Sequence, residues 1–75
     1  MTKEQLDAKR LLESLGYKHT KSWLQNTRLW LTMERHDGPI WVDMDGWIKR
    51  PDPEKPGHNL VGTVDMYINQ KMETI

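Results

Sequence analysis

The stretch from Arg28 to Arg50 restricts the possible folds of this chain more than any other. In Arg28-Leu29-Trp30-Leu31-Thr32-Met33-Glu34-Arg35 the apolar residues Leu29, Leu31 and Met33 recur at every second position, the period of a strand with one buried face. Two Asp-Gly pairs come next, Asp37-Gly38 and Asp45-Gly46; such pairs suit tight hairpin turns because both residues tolerate positive φ. The segments between and after them, 39–44 and 47–50, read as the next two strands, and Pro51 ends the last. An antiparallel meander is the expected core of the fold.

A two-residue turn at Asp37-Gly38 pairs Met33 with Val42 and Leu31 with Met44, which puts the large apolar side chains on one face. A similar turn at Asp45-Gly46 pairs Met44 with Trp47 and Asp43 with Ile48. In that register Leu29, Leu31, Met33, Val42 and Met44 face the core. Strict alternation then sends Arg28, Trp30, Thr32, Trp41 and Asp43 the other way, with Ile48 beside Asp43.

The flanks add helices. Thr2 and Gln5 have capping-box spacing, Leu6, Leu12 and Leu15 form a helical stripe with help from Ala8 and Leu11, and Gly16 is placed for a left-handed C-terminal cap. A helix is expected over 3–15. Residues 17–24 read as a polar edge strand closed by a turn at Gln25-Asn26. Residues 51–57 contain three prolines and read as a stiff connector. In the C-terminal segment Leu60, Val64, Ile68 and Met72 recur at helical spacing after the capping candidate Asn59. Leu60, Val64, Met66 and Ile68 also fit strand alternation, but length favours a helix over 60–72. The fold class expected is α+β: an N-terminal helix, a three- to four-stranded antiparallel meander and a C-terminal helix in a two-layer sandwich, forming one domain over 1–75.

With no cysteine among 75 residues, neither a disulfide framework nor a thiolate zinc site can hold so short a chain together. Four tryptophans and no phenylalanine leave the indoles to supply much of the apolar bulk. No run approaches the ~20 apolar residues of a membrane span, and Met1-Thr2-Lys3-Glu4-Gln5 lacks the apolar stretch of a secretory signal. A cytoplasmic setting without membrane contact is expected.

The formal net charge is zero but unevenly spread: residues 16–36 carry +3 and residues 37–75 carry −3. That polarity weakens the case for nucleic acid, which calls for a clear basic excess. Lys18, His19, Lys21, Trp23, Arg28 and Trp30 nevertheless interleave bases with aromatics, as a surface stacking unpaired bases does. A single-stranded RNA-binding module is therefore an alternative. The expected order of elements also resembles that of double-stranded-RNA-binding domains and small toxin ribonucleases. The Gly-Ser-His signature of those toxins and the C-terminal lysine cluster of those RNA-binding domains do not occur.

Catalytic and metal signals are sparse. Asp43-Met44-Asp45-Gly46 resembles the opening of a calcium loop, but the later glutamate is absent and Trp47 stands where an oxygen ligand belongs. His19, near Ser22, and His36 and His58 fall in no spacing that identifies a triad. A small ribonuclease-like activity is the second alternative. No catalytic residue, metal ligand or cofactor is assigned. The favoured expectation is a small non-enzymatic protein, of the accessory or inhibitory kind encoded by phages and mobile elements, docking on a larger protein or on its own copy. Trp30, Trp41, Arg28 and Ile48 are its candidate contacts.

Overall fold

The computed structural model describes residues 1–74. Helix α1 (Lys3–Ser14) leads into strands β1 (Lys18–Gln25), β2 (Arg28–Arg35), β3 (Gly38–Val42), β4 (Ile48–Pro51) and β5 (Asn59–Gly62). A short helix α2 (Val64–Ile68) and strand β6 (Glu73–Thr74) come last. All these strands join one antiparallel sheet in the order β1-β2-β3-β4-β5-β6. The protein is thus α+β, with more strands than the sequence pattern suggests.

The ends of α1 are set locally. The Thr2 hydroxyl accepts from the Gln5 N–H at 3.1 Å, and Gln5 Oε1 accepts from the Thr2 N–H at 3.4 Å, completing the reciprocal cap. At the other end Gly16 takes φ +95°; its N–H donates to the Glu13 carbonyl and the Tyr17 N–H to the Leu12 carbonyl. These are the paired bonds of a left-handed helix stop.

The two hairpins flanking β3 differ from expectation in different ways. Arg35 pairs with Gly38 and Met33 with Ile40, so the first turn is His36-Asp37, two residues out of the expected register. A shift of two keeps every side chain on its face, and Leu31, Met33 and Val42 are fully buried as the alternation implies. At the second hairpin Val42 pairs with Ile48 and Trp41 with Lys49, a slip of one. The loop is Met44-Asp45-Gly46, with Gly46 at φ +82° and the Gly46 N–H donating to the Asp43 carbonyl, the form of a three-residue hairpin ending on a left-handed glycine. Asp43 Oδ1 accepts from the N–H groups of Asp45 and Trp47, both at 2.9 Å. The extra loop residue reverses the faces of the residues beyond it: Ile48 is 1% exposed, in the core, and Trp47 is 44% exposed.

The helix expected over 60–72 forms only as the short α2, Val64–Ile68, with strands before and after it. The proline segment closes a hairpin, with the Asp52 N–H donating to the His58 carbonyl at 3.0 Å and Pro51 pairing with Asn59. Asn59 therefore starts a strand. Gly62 interrupts helical propensity and lies so close to Met66 that a Cβ there would meet its side chain at 3.2 Å. Thr63 caps α2 by accepting from the Met66 N–H. Gln70, at φ +57°, ends that helix with a Lys71 N–H bond to the Met66 carbonyl at 2.7 Å. With β5 before and β6 after a C-terminal helix shortened to α2, the order of elements departs from that of the RNA-binding domains and toxin ribonucleases.

Both helices cover one face of the sheet. Ala8 and Leu12 of α1 and Val64 of α2 pack with Tyr17, Leu31, Met33, Ile40, Val42 and Ile48 in a single buried cluster. Beside it, the Arg35 guanidinium lies 4.3 Å from the Tyr17 ring centre and donates to the Leu15 carbonyl, the Tyr67 hydroxyl and both carboxylate oxygens of Asp37. This joins the end of α1 to the β2–β3 turn and α2. Burial, then the hydrogen bond to Tyr67, holds the Tyr17 hydroxyl well above the ordinary tyrosine range.

The same guanidinium holds the Asp37 carboxyl far below the usual carboxylate range, chiefly through its hydrogen bonds. A carboxyl whose folded-state pKa is depressed stabilises the fold above its ordinary titration range. As pH falls through that range, the unfolded chain takes up a proton that the folded one does not, and stability is lost. Urea midpoints measured from neutrality down to about pH 2 are expected to fall less steeply for Asp37→Asn than for the wild type.

Candidate functional site

The opposite face of the sheet is covered by neither helix. Cross-strand partners share a face, so the observed register sets its composition. Trp23 stands beside Trp30, and a second row runs Lys21, Thr32, Trp41, Lys49, Val61, Glu73 across the whole sheet. Trp23, Trp30 and Trp41 are all half-buried. The Trp23 and Trp30 rings stack at 5.6 Å between centroids and 12° between planes; the Trp23 Nε1–H donates to the Thr32 hydroxyl at 3.2 Å. The Lys49 ammonium lies 5.7 Å from the Trp30 ring centre.

Trp23 reaches Trp30 from the β1 side, and Lys49 reaches it from the β4 side. The indole is thus stacked on a second indole and has a cation within reach of its ring. Stacked aromatic pairs add about 0.5–1.5 kcal/mol beyond the area they bury, and a cation over an indole about 0.5–1 kcal/mol at an exposed site. The ladder is therefore pre-ordered.

Of the four expected contacts, Trp30 and Trp41 lie on this face. Arg28 is at its margin, exposed, with Nη2 3.0 Å from Asp45 Oδ2. Ile48 is corrected: the one-residue slip at the Met44-Asp45-Gly46 loop turns it into the core, where nothing outside the chain can reach it. Trp23 and Lys49 are added. The signal for Trp23 is Asn26, a residue type that tolerates the left-handed region. Asn26 and Thr27 both take positive φ, 51° and 64°; placing the turn on this pair instead of Gln25-Asn26 aligns Trp23 with Trp30.

The remaining chemistry is local. His19 Nε2 lies 2.9 Å from the Ser22 hydroxyl and 3.2 Å from the Lys21 carbonyl, on the exposed edge strand. Among the described residues no His, Asp and Glu side chains gather into a metal-binding group; Asp43 caps its own loop and Asp45 pairs with Arg28. On the helix side, an open groove of about 640 Å³ is lined by Leu15, Arg50, Leu60, Tyr67 and Met72 among others, with the Arg50 guanidinium 5.2 Å from the Tyr67 ring centre. No described helix is long and apolar enough to cross a membrane.

No family model, curated protein or solved structure matches this chain.

Proposed function

We propose that this protein is a non-enzymatic binding module that docks on a larger protein through the outer face of its sheet, with Trp41 and the Trp23–Trp30 ladder as the centre of contact. One observation carries this reading: both helices pack on the same side, leaving a tryptophan-bearing sheet face that no described element covers. Aromatic side chains ringed by polar residues are the commonest anchors of protein interfaces. Thr32, Lys49 and Glu73 supply such a rim on either side of Trp41. A small accessory or inhibitory role, like that of many short proteins of phages and mobile elements, fits this reading by analogy.

The ladder also bears on the main alternative. Single-strand binding by stacking needs an indole π face for each base, and the faces that Trp23 and Trp30 turn toward each other are already occupied. The cations on this side of the sheet, Lys18, Lys21, Arg28 and Lys49, are opposed by Glu34, Asp43 and Glu73, so it lacks the basic excess of a phosphate track.

The test compares partner recovery by wild type and Trp41→Ala from lysate of the cells that encode the protein. Truncating a central aromatic anchor weakens an interface by about 2 kcal/mol or more, so a bound protein should be recovered at least about tenfold less by the variant, whose circular dichroism stays native. Equal recovery removes the aromatic face from the interface. A salt-sensitive gel shift with single-stranded RNA, weakened by Lys21→Ala, would favour the nucleic-acid reading instead.

A further inference from the structure

The sheet ends on β1 at one side and on the two-residue β6 at the other. A long edge strand offers a row of free N–H and C=O groups, which proteins normally guard with lysines, prolines or bulges. The first half of β1 is guarded in this way, by Lys18, Lys21 and the irregularity at Thr20 that shifts the register between His19 and Lys21. The second half, Ser22 to Gln25, has none of these devices. It is also apolar on both sides: Trp23 stands on the outer face, and Leu24 projects on the helix side with 71% of its surface exposed.

The backbone groups that point off this edge are fixed by the hairpin. The turn Asn26-Thr27 closes on the pair Gln25 and Arg28, and hydrogen-bonded and non-hydrogen-bonded pairs alternate from there. Trp23 therefore exchanges its bonds with Trp30, while the N–H and C=O groups of Ser22 and Leu24 face the open side.

We propose that this half-strand pairs with the same segment of a second copy, antiparallel about a two-fold axis at Trp23, to make one continuous sheet across a homodimer. In that register Ser22 exchanges both bonds with Leu24 of the second copy, and Leu24 with Ser22. Lys21 falls opposite Gln25, whose amide oxygen accepts from an ammonium, so no like charges meet. Trp23 falls opposite Trp23, and the stack already formed with Trp30 extends through four indoles. Self-complementarity of this kind is what an isologous interface requires; the segment supplies it without any change in the fold. The paired stretch from Lys21 to Gln25 is short, and it buries less than the roughly 1,200–2,000 Å² of stable interfaces. The dimer is accordingly weak and concentration-dependent. It uses the sheet edge, leaving the outer face open for the docking proposed above, and its test reads self-association alone.

Sedimentation equilibrium from about 20 μM to about 1 mM should show the mass rising from 8.9 kDa toward twice that value. Ser22→Pro removes an N–H that takes no part in the β1–β2 ladder, and Leu24→Lys charges the exposed apolar position. Each should weaken dimerisation at least about tenfold. In amide exchange the Ser22 and Leu24 N–H groups should become protected in concentrated samples, whereas Trp23 is protected throughout. A wild type that stays at 8.9 kDa over the whole range overturns the proposal, as does a dimer that survives the substitutions. If circular dichroism shows Ser22→Pro unfolded, Leu24→Lys decides.

Discussion

Ile48→Ala is expected to destabilise the protein by about 2–5 kcal/mol, the range for deleting a buried aliphatic side chain, and Trp47→Ala by less. The contrast runs against side-chain size and comes from the hairpin register. Ile48 pairs with Val42 on one side and Gly62 on the other and is 1% exposed. Truncation leaves a void in the buried cluster that Ile48 shares with Leu12, Leu31, Val42 and Val64. Trp47 is 44% exposed, and its ordered bonds, to Asp43, are made by its backbone. A domain of this length is stable by only ~4–11 kcal/mol, so Ile48→Ala removes a large share of the total. Urea unfolding followed by far-ultraviolet circular dichroism measures both variants, independently of the indole lost in one of them. The opposite ranking would mean that the turn is Asp45-Gly46 with a two-residue loop, and that the outer face is differently composed.

Gln5→Leu is expected to cost about 1–3 kcal/mol, as leaving buried acceptors without a donor does, and Gln5→Glu more than that at neutral pH. Gln5 is fully buried although it belongs to the first turn of α1. Its Nε2 donates to the Leu29 carbonyl at 2.9 Å and more weakly to the Val42 carbonyl at 3.5 Å. The β2–β3 pairing stops at Leu31 and Val42, and the amide fills the opening where those strands part. Thr2, its capping partner, donates its hydroxyl to the Met44 carbonyl. The capping box thus fastens α1 to the sheet as well as starting the helix. Leucine keeps the volume and loses the donor. The carboxylate of Gln5→Glu faces two carbonyl oxygens at a fully buried position, which favours its protonated form in the folded state. A group whose folded pKa is raised loses stability as pH rises through its titration range. The deficit of Gln5→Glu relative to wild type should therefore shrink on acidification toward about pH 4, and that of Gln5→Leu should not. Parallel deficits at all pH values would remove the amide from this role.

Much of the candidate site is legible along the chain. The alternation in β2 places Leu31 and Met33 inward and Trp30 outward, and the two-residue shift at His36-Asp37 preserves Trp41 on the side of Trp30. Ile48 is misplaced by sequence pattern because an Asp-Gly pair fits either a two-residue loop or the end of a three-residue one, and the choice changes parity. Contacts beyond the loop decide it: a Cβ on Gly46 would lie 2.9 Å from the Glu4 carbonyl oxygen, so the loop is moulded against α1. Trp23 escapes the expected contact set because a turn at Gln25-Asn26 sets it opposite Arg28, whereas the turn one residue later sets it opposite Trp30.

The features that the sequence alone determined are those whose partners lie within a few residues: the reciprocal cap at Thr2 and Gln5, the glycine stop at Gly16, and the inward and outward alternation of β2. These depend on backbone geometry and near neighbours, which a short window of residues contains. The tertiary structure decided the strand character of Asn59–Gly62, the burial of Gln5 and the exposure of the tryptophan ladder. Residues 60–72 carry both a helical and a strand-like pattern. The free edge of β4, brought within reach by the proline hairpin, supplies the ladder bonds that favour the strand, and Gly62 and Thr63 confine the helix to one short turn beyond it. The ladder is left open for the same reason: α2 packs beside α1 on the Leu31–Met33 face, and no described element remains to cover the other.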